Sequence, residues 1–213
     1  MARAGKEMNE LAAEPVMGPA GPRSSTGAAI RNSDLETGSE PPTLVLGSVP
    51  DDFTPETHLA LGPWCFIGRE RVYEDWERLA FEPDPFASAD ELAEASQLTS
   101  DYANSLMPWL TERLNQINGT NYSVTFWRFL TLPWLLLLVQ SAWERQCRLK
   151  GFLTRHGSEA IAVDILTKPT HWVFEDTLEF LYQGVLNPTY NEWLYSRMLD
   201  GLRPESWRIR EIE

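Results

Sequence analysis

The sequence YSVTFWRFLTLPWLLLLVQSAWER, from Tyr122 to Arg145, is the stretch that decides how this chain folds. It contains three tryptophans, a proline and two arginines, Arg128 and Arg145, in and around an apolar run from Phe129 to Val139. At about 1.5 Å per residue, such a run covers roughly half of a ~30 Å hydrocarbon core. The stretch therefore favours a helix buried inside a folded protein over one that crosses a membrane.

This helix is expected to run from about Ser123 to Lys150, and Arg128 near its start needs an explanation. A guanidinium is rarely buried without a partner. Its aromatic neighbours would form the walls of a site in which Arg128 binds a carboxylate, a phosphate or a pyrophosphate. The alternatives are an internal ion pair with an acid such as Glu144 or Asp164, or stacking on a tryptophan. The residues alone leave both possibilities open.

Composition excludes several classes of partner. The chain has 213 residues, of which 43% are hydrophobic, so it can bury a sizeable core. Its formal net charge is -13, which argues against binding to nucleic acid and against electrostatic docking on anionic lipid. The N-terminus lacks the short apolar core of a signal peptide, and the two cysteines are expected to be reduced thiols. Together these features favour a cytoplasmic location.

The chain divides into a tail and one α/β unit. Residues 1–42 are rich in Ala, Gly, Pro, Ser and Glu and contain no aromatic residue, so they are predicted to be disordered. Residues 43–213 are predicted to form a small, mostly parallel sheet flanked by long helices. Strands are expected at 43–47, at 58–62 and within 158–166.

Helices are predicted at four further places. Ser88 and Glu91 form a capping-box pattern that starts an amphipathic helix, and Asn118-Gly119 ends it. Shorter helices are expected at 70–79, 172–182 and 190–199, and the residues after Trp207 are interpreted as a charged tail.

No catalytic signature identifies a reaction. The phosphate-binding, dinucleotide-binding, nucleophile-elbow and zinc-protease motifs are all absent, so no cofactor is predicted and the catalytic residues are unknown. The three histidines are scattered, and no metal site is predicted. His58 opens a predicted strand and is the one histidine that could face a cleft. The nine tryptophans could stack on sugar rings or build the core.

Several short motifs stand out along the chain: HLALGPWC (58–65), LNQING (114–119), SVTFWRFLTLPW (123–134), Glu144-Arg145 and EWLYSR (192–197). Taken together, they resemble the motifs of a transferase family encoded in bacterial surface-polysaccharide and O-antigen loci. The most specific part is the Trp-Arg and Pro-Trp block. Asn118 and Leu132 stand where the family pattern has a histidine and a glycine, and Glu144-Arg145 stands in place of an Asp-Arg pair.

The resemblance implies a fold and an activity. Members resemble two-lobed glycosyltransferases in which the C-terminal lobe binds the nucleotide-sugar donor. This chain would be the N-terminal lobe or a truncated form, inactive alone, with a donor-binding lobe or a partner chain completing it. It would bind a glycan or lipid-linked sugar acceptor in a cleft. The residues expected to bind this substrate are His58, Trp64, Trp127, Arg128 and Trp134.

A non-catalytic role is the alternative. In that interpretation the tryptophans build a core and an interface, Arg128 is part of a structural pair, and the chain is an interaction module without a ligand site.

Overall fold

The computed structural model describes residues 40–79, 81–167 and 172–212. The predicted disordered tail 1–42 lies outside the described residues except for its last three positions. The elements, in chain order, are β1 (Thr43–Val45), β2 (His58–Ala60), α1 (Ala89–Asn118), α2 (Val124–His156), β3 (Ala162–Leu166), α3 (Thr177–Glu179), α4 (Pro188–Leu199) and β4 (Arg208–Ile212).

The sheet has four strands in the order β2-β1-β3-β4, and every pair is parallel. Thr43 of β1 is aligned with His58 on one side and with Ala162 on the other. The chain therefore leaves β1 toward β2 and then crosses back over β1, through α1 and α2, to reach β3. The predicted α/β class with a small parallel sheet is confirmed.

The main core lies between the sheet and the second half of α2. Leu44, Val163 and Ile165 of the sheet pack in one apolar cluster with Leu149 and Phe152 of α2. This burial, worth about 1.5–3 kcal/mol for each large side chain, is the main force that holds such short strands together.

The direction of α2 across the sheet follows from its contacts at the two sheet edges. Trp64 directly follows β2 and so marks the carboxyl edge, where it lies beside Arg145 and Arg148. Trp207 precedes β4 and so marks the amino edge, where its indole Nε1 donates to the carbonyl of His156 at 3.4 Å. The part of α2 before Glu144 therefore extends beyond the carboxyl edge.

α1 packs along this protruding part of α2 as a helical hairpin. Ser88 caps α1 by accepting from the backbone N–H of Glu91 at 3.2 Å, as the capping-box pattern predicts. Gly119 ends α1 in the left-handed conformation, with φ of 63°. The two helices share a second apolar cluster around Ala103, Met107 and Leu135. We call residues 99–139 the arm.

The prediction that the apolar run of α2 is buried is wrong. Phe129 is 84% exposed, and Leu130 is 54% exposed. Within the arm, α2 packs on α1 through one side only, which includes Thr131 and Leu135. Measured by length and hydropathy alone, α2 could cross a membrane, and it is the one helix in the described part of the chain that could.

Three other local predictions are wrong. The predicted helix 70–79 is wrong, because this segment forms only a 3₁₀ turn at Trp76–Arg78, although Tyr73 and Leu79 pack against the main core. The predicted helix 172–182 is replaced by α3 and a π-helical turn at Phe180–Val185. The residues after Trp207 form β4, because Ile209 packs on the core and Arg210 pairs with Asp164 of β3.

Candidate functional site

The carboxyl edge of the sheet is the first place to look for a site. In open parallel sheets, ligands bind outside the carboxyl ends of the strands, where the strand order reverses. Here that point lies between β1 and β3. Gly47 follows β1, and α4 crosses it so closely that an added Cβ would lie 2.7 Å from Oε2 of Glu192. Burial, and secondarily the nearby Asp164, raises the pKa of the Glu192 carboxyl.

Trp64 is the centre of a buried polar cluster at this edge. It lies in a 3₁₀ turn (Pro63–Phe66) and is only 7% exposed. Its Nε1 donates to the carbonyl of Leu46 at 3.1 Å, and its ring stacks on Tyr195 with centroids 5.7 Å apart. The guanidinium carbons of Arg145 and Arg148 lie 5.0 and 5.3 Å from the centroid of the indole. Such cation–π contacts stabilise the buried guanidinium groups of the two arginines.

The two arginines are anchored by protein acceptors. Arg145 donates from Nε to Oδ1 of Asn191 at 2.9 Å and from Nη2 to the carbonyl of Val185 at 3.0 Å. Arg148 donates from Nη1 to the carbonyls of Glu82 and Pro83, at 2.9 and 3.0 Å. The cluster thus ties α2 to α4, to the π-helical turn and to the loop before α1.

Glu144 joins the two arginines. Its Oε2 accepts from Nη1 of Arg145 at 2.5 Å, and its Oε1 accepts from Nε and Nη2 of Arg148 at 2.8 and 2.7 Å. The carboxylate is therefore held in one orientation by two cations. Burial raises the pKa of the adjacent Tyr195 well above its usual range, and the charge of Glu144 adds to this effect.

A groove of about 700 Å³ opens next to Glu144 at the base of the arm. One wall is the start of α1 with the loop before it, and the other is α2. Phe86, Leu92 and Trp143 supply apolar surface, while Gln140 and Glu144 supply an amide and a carboxylate. An aromatic surface beside a few fixed polar groups suits a polyhydroxylated ring, which offers both C–H faces and hydroxyl groups.

The sequence-predicted residues do not form one cluster in the described structure. Trp64 lies at the carboxyl edge, and His58 at the start of β2, where it stacks on Phe53 with centroids 5.5 Å apart. Trp134 packs near Phe180, with centroids 6.1 Å apart. Their role in substrate binding stays a prediction.

The remaining two predicted residues lie on the arm. Trp127 donates from Nε1 to Oδ1 of Asn115 at 2.9 Å, and Arg128 donates from Nη2 to Oδ1 of Asn104 at 2.6 Å. Neither of the two acids considered as an internal partner pairs with Arg128 in the described structure, because Glu144 pairs with Arg145 and Arg148, and the described partner of Asp164 is Arg210.

Sequence reasoning missed the arginine pair and the groove. The spacing of four residues between Glu144 and Arg148 predicts their ion pair, and the structure confirms it. The burial of Arg145 and Arg148 could not be predicted from the sequence, because the carbonyls that accept their hydrogen bonds belong to distant residues such as Glu82 and Val185. Among the described residues, no group of three or more His, Cys, Asp or Glu side chains is arranged to hold a metal ion.

The fold and the site define a small parallel α/β unit with a ligand-sized groove near the carboxyl edge of its sheet. The family model described as LIC12162 family transferase matches residues 42–213, and the chain belongs to this family of transferases. No curated protein and no solved structure matches the chain.

Proposed function

We propose that this chain is the acceptor-binding lobe of a sugar transferase in bacterial surface polysaccharide biosynthesis, acting in the cytoplasm and inactive alone. The observation that carries the proposal is the groove at the base of the arm, where Trp143 and Phe86 lie beside the fixed carboxylate of Glu144. Membership of a transferase family supports it. The acceptor is a glycan or a lipid-linked sugar.

The reaction is a displacement at the anomeric carbon of a nucleotide sugar. The acceptor hydroxyl oxygen forms the new glycosidic bond, the bond to the diphosphate breaks, and the nucleotide diphosphate leaves with the electron pair. The hydroxyl proton passes to a base. Glu144 accepts a hydrogen bond from an acceptor hydroxyl and so orients it, because two arginines already fix this carboxylate. A donor-binding lobe or a partner chain supplies the base and the diphosphate site.

Arg128 fits the same scheme as a phosphate-binding residue. Its side chain is exposed on the arm, and its single hydrogen-bond partner in the described structure is the neutral Asn104. A guanidinium in this state can bind the phosphate of a lipid-linked sugar.

Calorimetry with soluble surface-glycan fragments tests the groove. Trp143→Ala should weaken glycan binding by about tenfold, since losing an aromatic stacking surface removes about 1–2 kcal/mol. Trp109→Ala is the matched control, because Trp109 is also a partly exposed tryptophan but lies on α1 outside the groove. Equal glycan binding by the two variants would refute the proposal that the groove binds the glycan. Tight nucleotide-sugar binding by this chain alone would refute the proposal that another lobe or chain binds the donor.

A second candidate is a non-catalytic interaction module. The exposed apolar side chains of the arm, such as Phe129 and Leu130, favour it. In that case the wild-type chain binds no glycan or nucleotide sugar in the same titrations.

A further inference from the structure

The tip of the arm presents an unusual amount of exposed apolar surface. We define the arm tip as residues 114–130, which include the end of α1, the turn and the first two turns of α2. Phe126, Phe129 and Leu130 lie on one side of α2, at the three- and four-residue spacing of a helix face. Other large apolar side chains exposed at the tip are Ile117, Tyr122 and Val124.

Charge is almost absent from this part of the chain. Between Arg113 and Glu144 the sequence contains one charged residue, Arg128, and no acid. Elsewhere the protein is strongly acidic, with 31 Asp and Glu residues. The local composition therefore lowers the repulsion that the net charge of -13 creates near a phosphate-rich surface.

The polar groups at the tip are mostly satisfied within the tip. Oδ1 of Asn115 accepts from Thr120, from the backbone of Tyr122 and from Trp127, each at 2.9 Å. Arg128 is different, because its described partner is one neutral amide oxygen and its side chain is exposed. A guanidinium has five N–H donors, so it can bind a further anionic oxygen.

We propose that the arm tip inserts into the interfacial layer of a phospholipid bilayer without crossing it. Phe126, Phe129 and Leu130 enter the boundary between headgroups and acyl chains, about 5–10 Å deep. Arg128 binds a lipid phosphate, and Tyr122 lies at the headgroup level that aromatic residues prefer.

Two features favour a bilayer over a second protein surface. The exposed apolar patch is continuous with a polar, uncharged turn, and no acidic residue lies between Arg113 and Glu144 to pair with a basic partner. The one charge within the patch is a cation, which complements lipid phosphate. The other end of α2 is fixed in the core through Leu149 and Phe152, so insertion is limited to the tip. The proposal does not depend on which ligand the groove binds.

Flotation of the full chain with vesicles of phosphatidylethanolamine and phosphatidylglycerol tests this surface. The wild type should float with the vesicles. Phe129→Glu should reduce the bound fraction by about tenfold or more, because it places a charge at the depth of the acyl chains. Val173→Glu is the matched control, since Val173 is also 84% exposed but lies outside the arm, and this variant should float like the wild type. Arg128→Gln should weaken binding several-fold.

Other results would overturn the proposal. One is a wild type that stays with the soluble fraction. Another is an equal loss for Phe129→Glu and Val173→Glu. A third is a wild-type dimer that Phe129→Glu dissociates without any vesicle binding, which would assign the surface to a second copy of the chain. Circular dichroism of each variant shows whether a loss of vesicle binding comes from unfolding. If Phe129→Glu is unfolded, Leu130→Glu is tested in its place.

Discussion

At the residue scale, Arg148 shows how one buried side chain joins separate parts of the chain. It contacts Trp64 from the loop after β2, Glu144 one turn earlier on α2, and the carbonyls of Glu82 and Pro83 before α1. Only 6% of its side chain is exposed, so the guanidinium is held by these protein groups rather than by solvent. The same contacts fix the carboxylate that borders the groove.

Arg148→Met should lower the free energy of unfolding by about 3–5 kcal/mol, because it removes one of the two cations that pair with Glu144 and leaves the carbonyls of Glu82 and Pro83 without this donor. Arg128→Met is the control. It removes one exposed hydrogen bond and should change stability by no more than about 0.5 kcal/mol. Urea unfolding followed by tryptophan fluorescence measures both. Similar losses in the two variants would show that the buried cluster is not the structural tie described here.

The two cysteines should differ in reactivity toward iodoacetamide. Burial raises the pKa of the Cys65 thiol to about 12, and this side chain is fully buried. Burial also raises the pKa of Cys147, which is only partly buried. Because the thiolate is the reactive form, the native protein at about pH 8 should be labelled at Cys147 first and at Cys65 only after unfolding. Mass spectrometry of peptides reports each site, and rapid native labelling of Cys65 would contradict its burial.

At the element scale, Asn115 makes most of the side-chain hydrogen bonds that close the turn between α1 and α2. Asn115 accepts three hydrogen bonds at Oδ1 and donates from Nδ2 to the carbonyl of Tyr122 at 2.9 Å. Ser123 then caps α2 by accepting from the N–H of Phe126 at 3.2 Å. The turn is therefore closed by side chains from both helices, and Gly119 supplies the positive φ.

Asn115→Ala should open this turn and cost about 2–3 kcal/mol, since three donors lose their acceptor. Asn118→Ala is the matched control, because the Asn118 side chain makes one local bond, to the carbonyl of Leu114. Hydrogen exchange of residues 114–130 should accelerate in the first variant only. Equal exchange in both would show that helix packing, and not Asn115, closes the hairpin.

Local signals explain which elements could be predicted from the sequence. The Ser88 cap and the Gly119 stop act within a few residues, and the segment 162–166 is apolar except for Asp164, so α1 and β3 follow from the sequence. β4 was not predicted, because three of the five residues of RIREI are charged and the two isoleucines are not regularly alternated, so the segment becomes a strand through its pairing with β3. The length of α2 was underestimated, since its last turn is stabilised by contact with Trp207.

The candidate site was less accessible to sequence reasoning than the fold. The Trp-Arg block drew attention to Arg128, yet that residue lies on the arm, whereas the buried pair is Arg145 and Arg148. Burial of the apolar run also could not be judged from composition, because an apolar segment looks the same whether it is covered by its own chain or is left exposed.

At the scale of the whole molecule, the described residues contain two apolar clusters of unequal size. The larger one fills the space between the sheet and the second half of α2. The smaller one, around Met107 and Leu135, holds the arm together. Because a small cluster buries less apolar area, the arm should open at a lower free energy than the sheet.

Native-state hydrogen exchange should therefore separate the two regions. Amides of α1 and of α2 before Val139 should exchange through openings of lower free energy than amides of β1 and β3. A small amount of urea should lower the opening free energy of the sheet amides more steeply than that of the arm amides. The sheet amides exchange only when a larger surface unfolds. One common exchange free energy for both regions would show that arm and sheet unfold as a unit.

The parallel pairing of β1 with β3 also sets the order in which the protein can form. Thr43 cannot pair until Ala162 has been synthesised, and both long helices lie between these residues in the sequence. During synthesis the hairpin is complete before β3 has been made, so it forms from local contacts while its sheet does not yet exist. The apolar side of α2 is then exposed at the ribosome, where chaperones bind such surfaces.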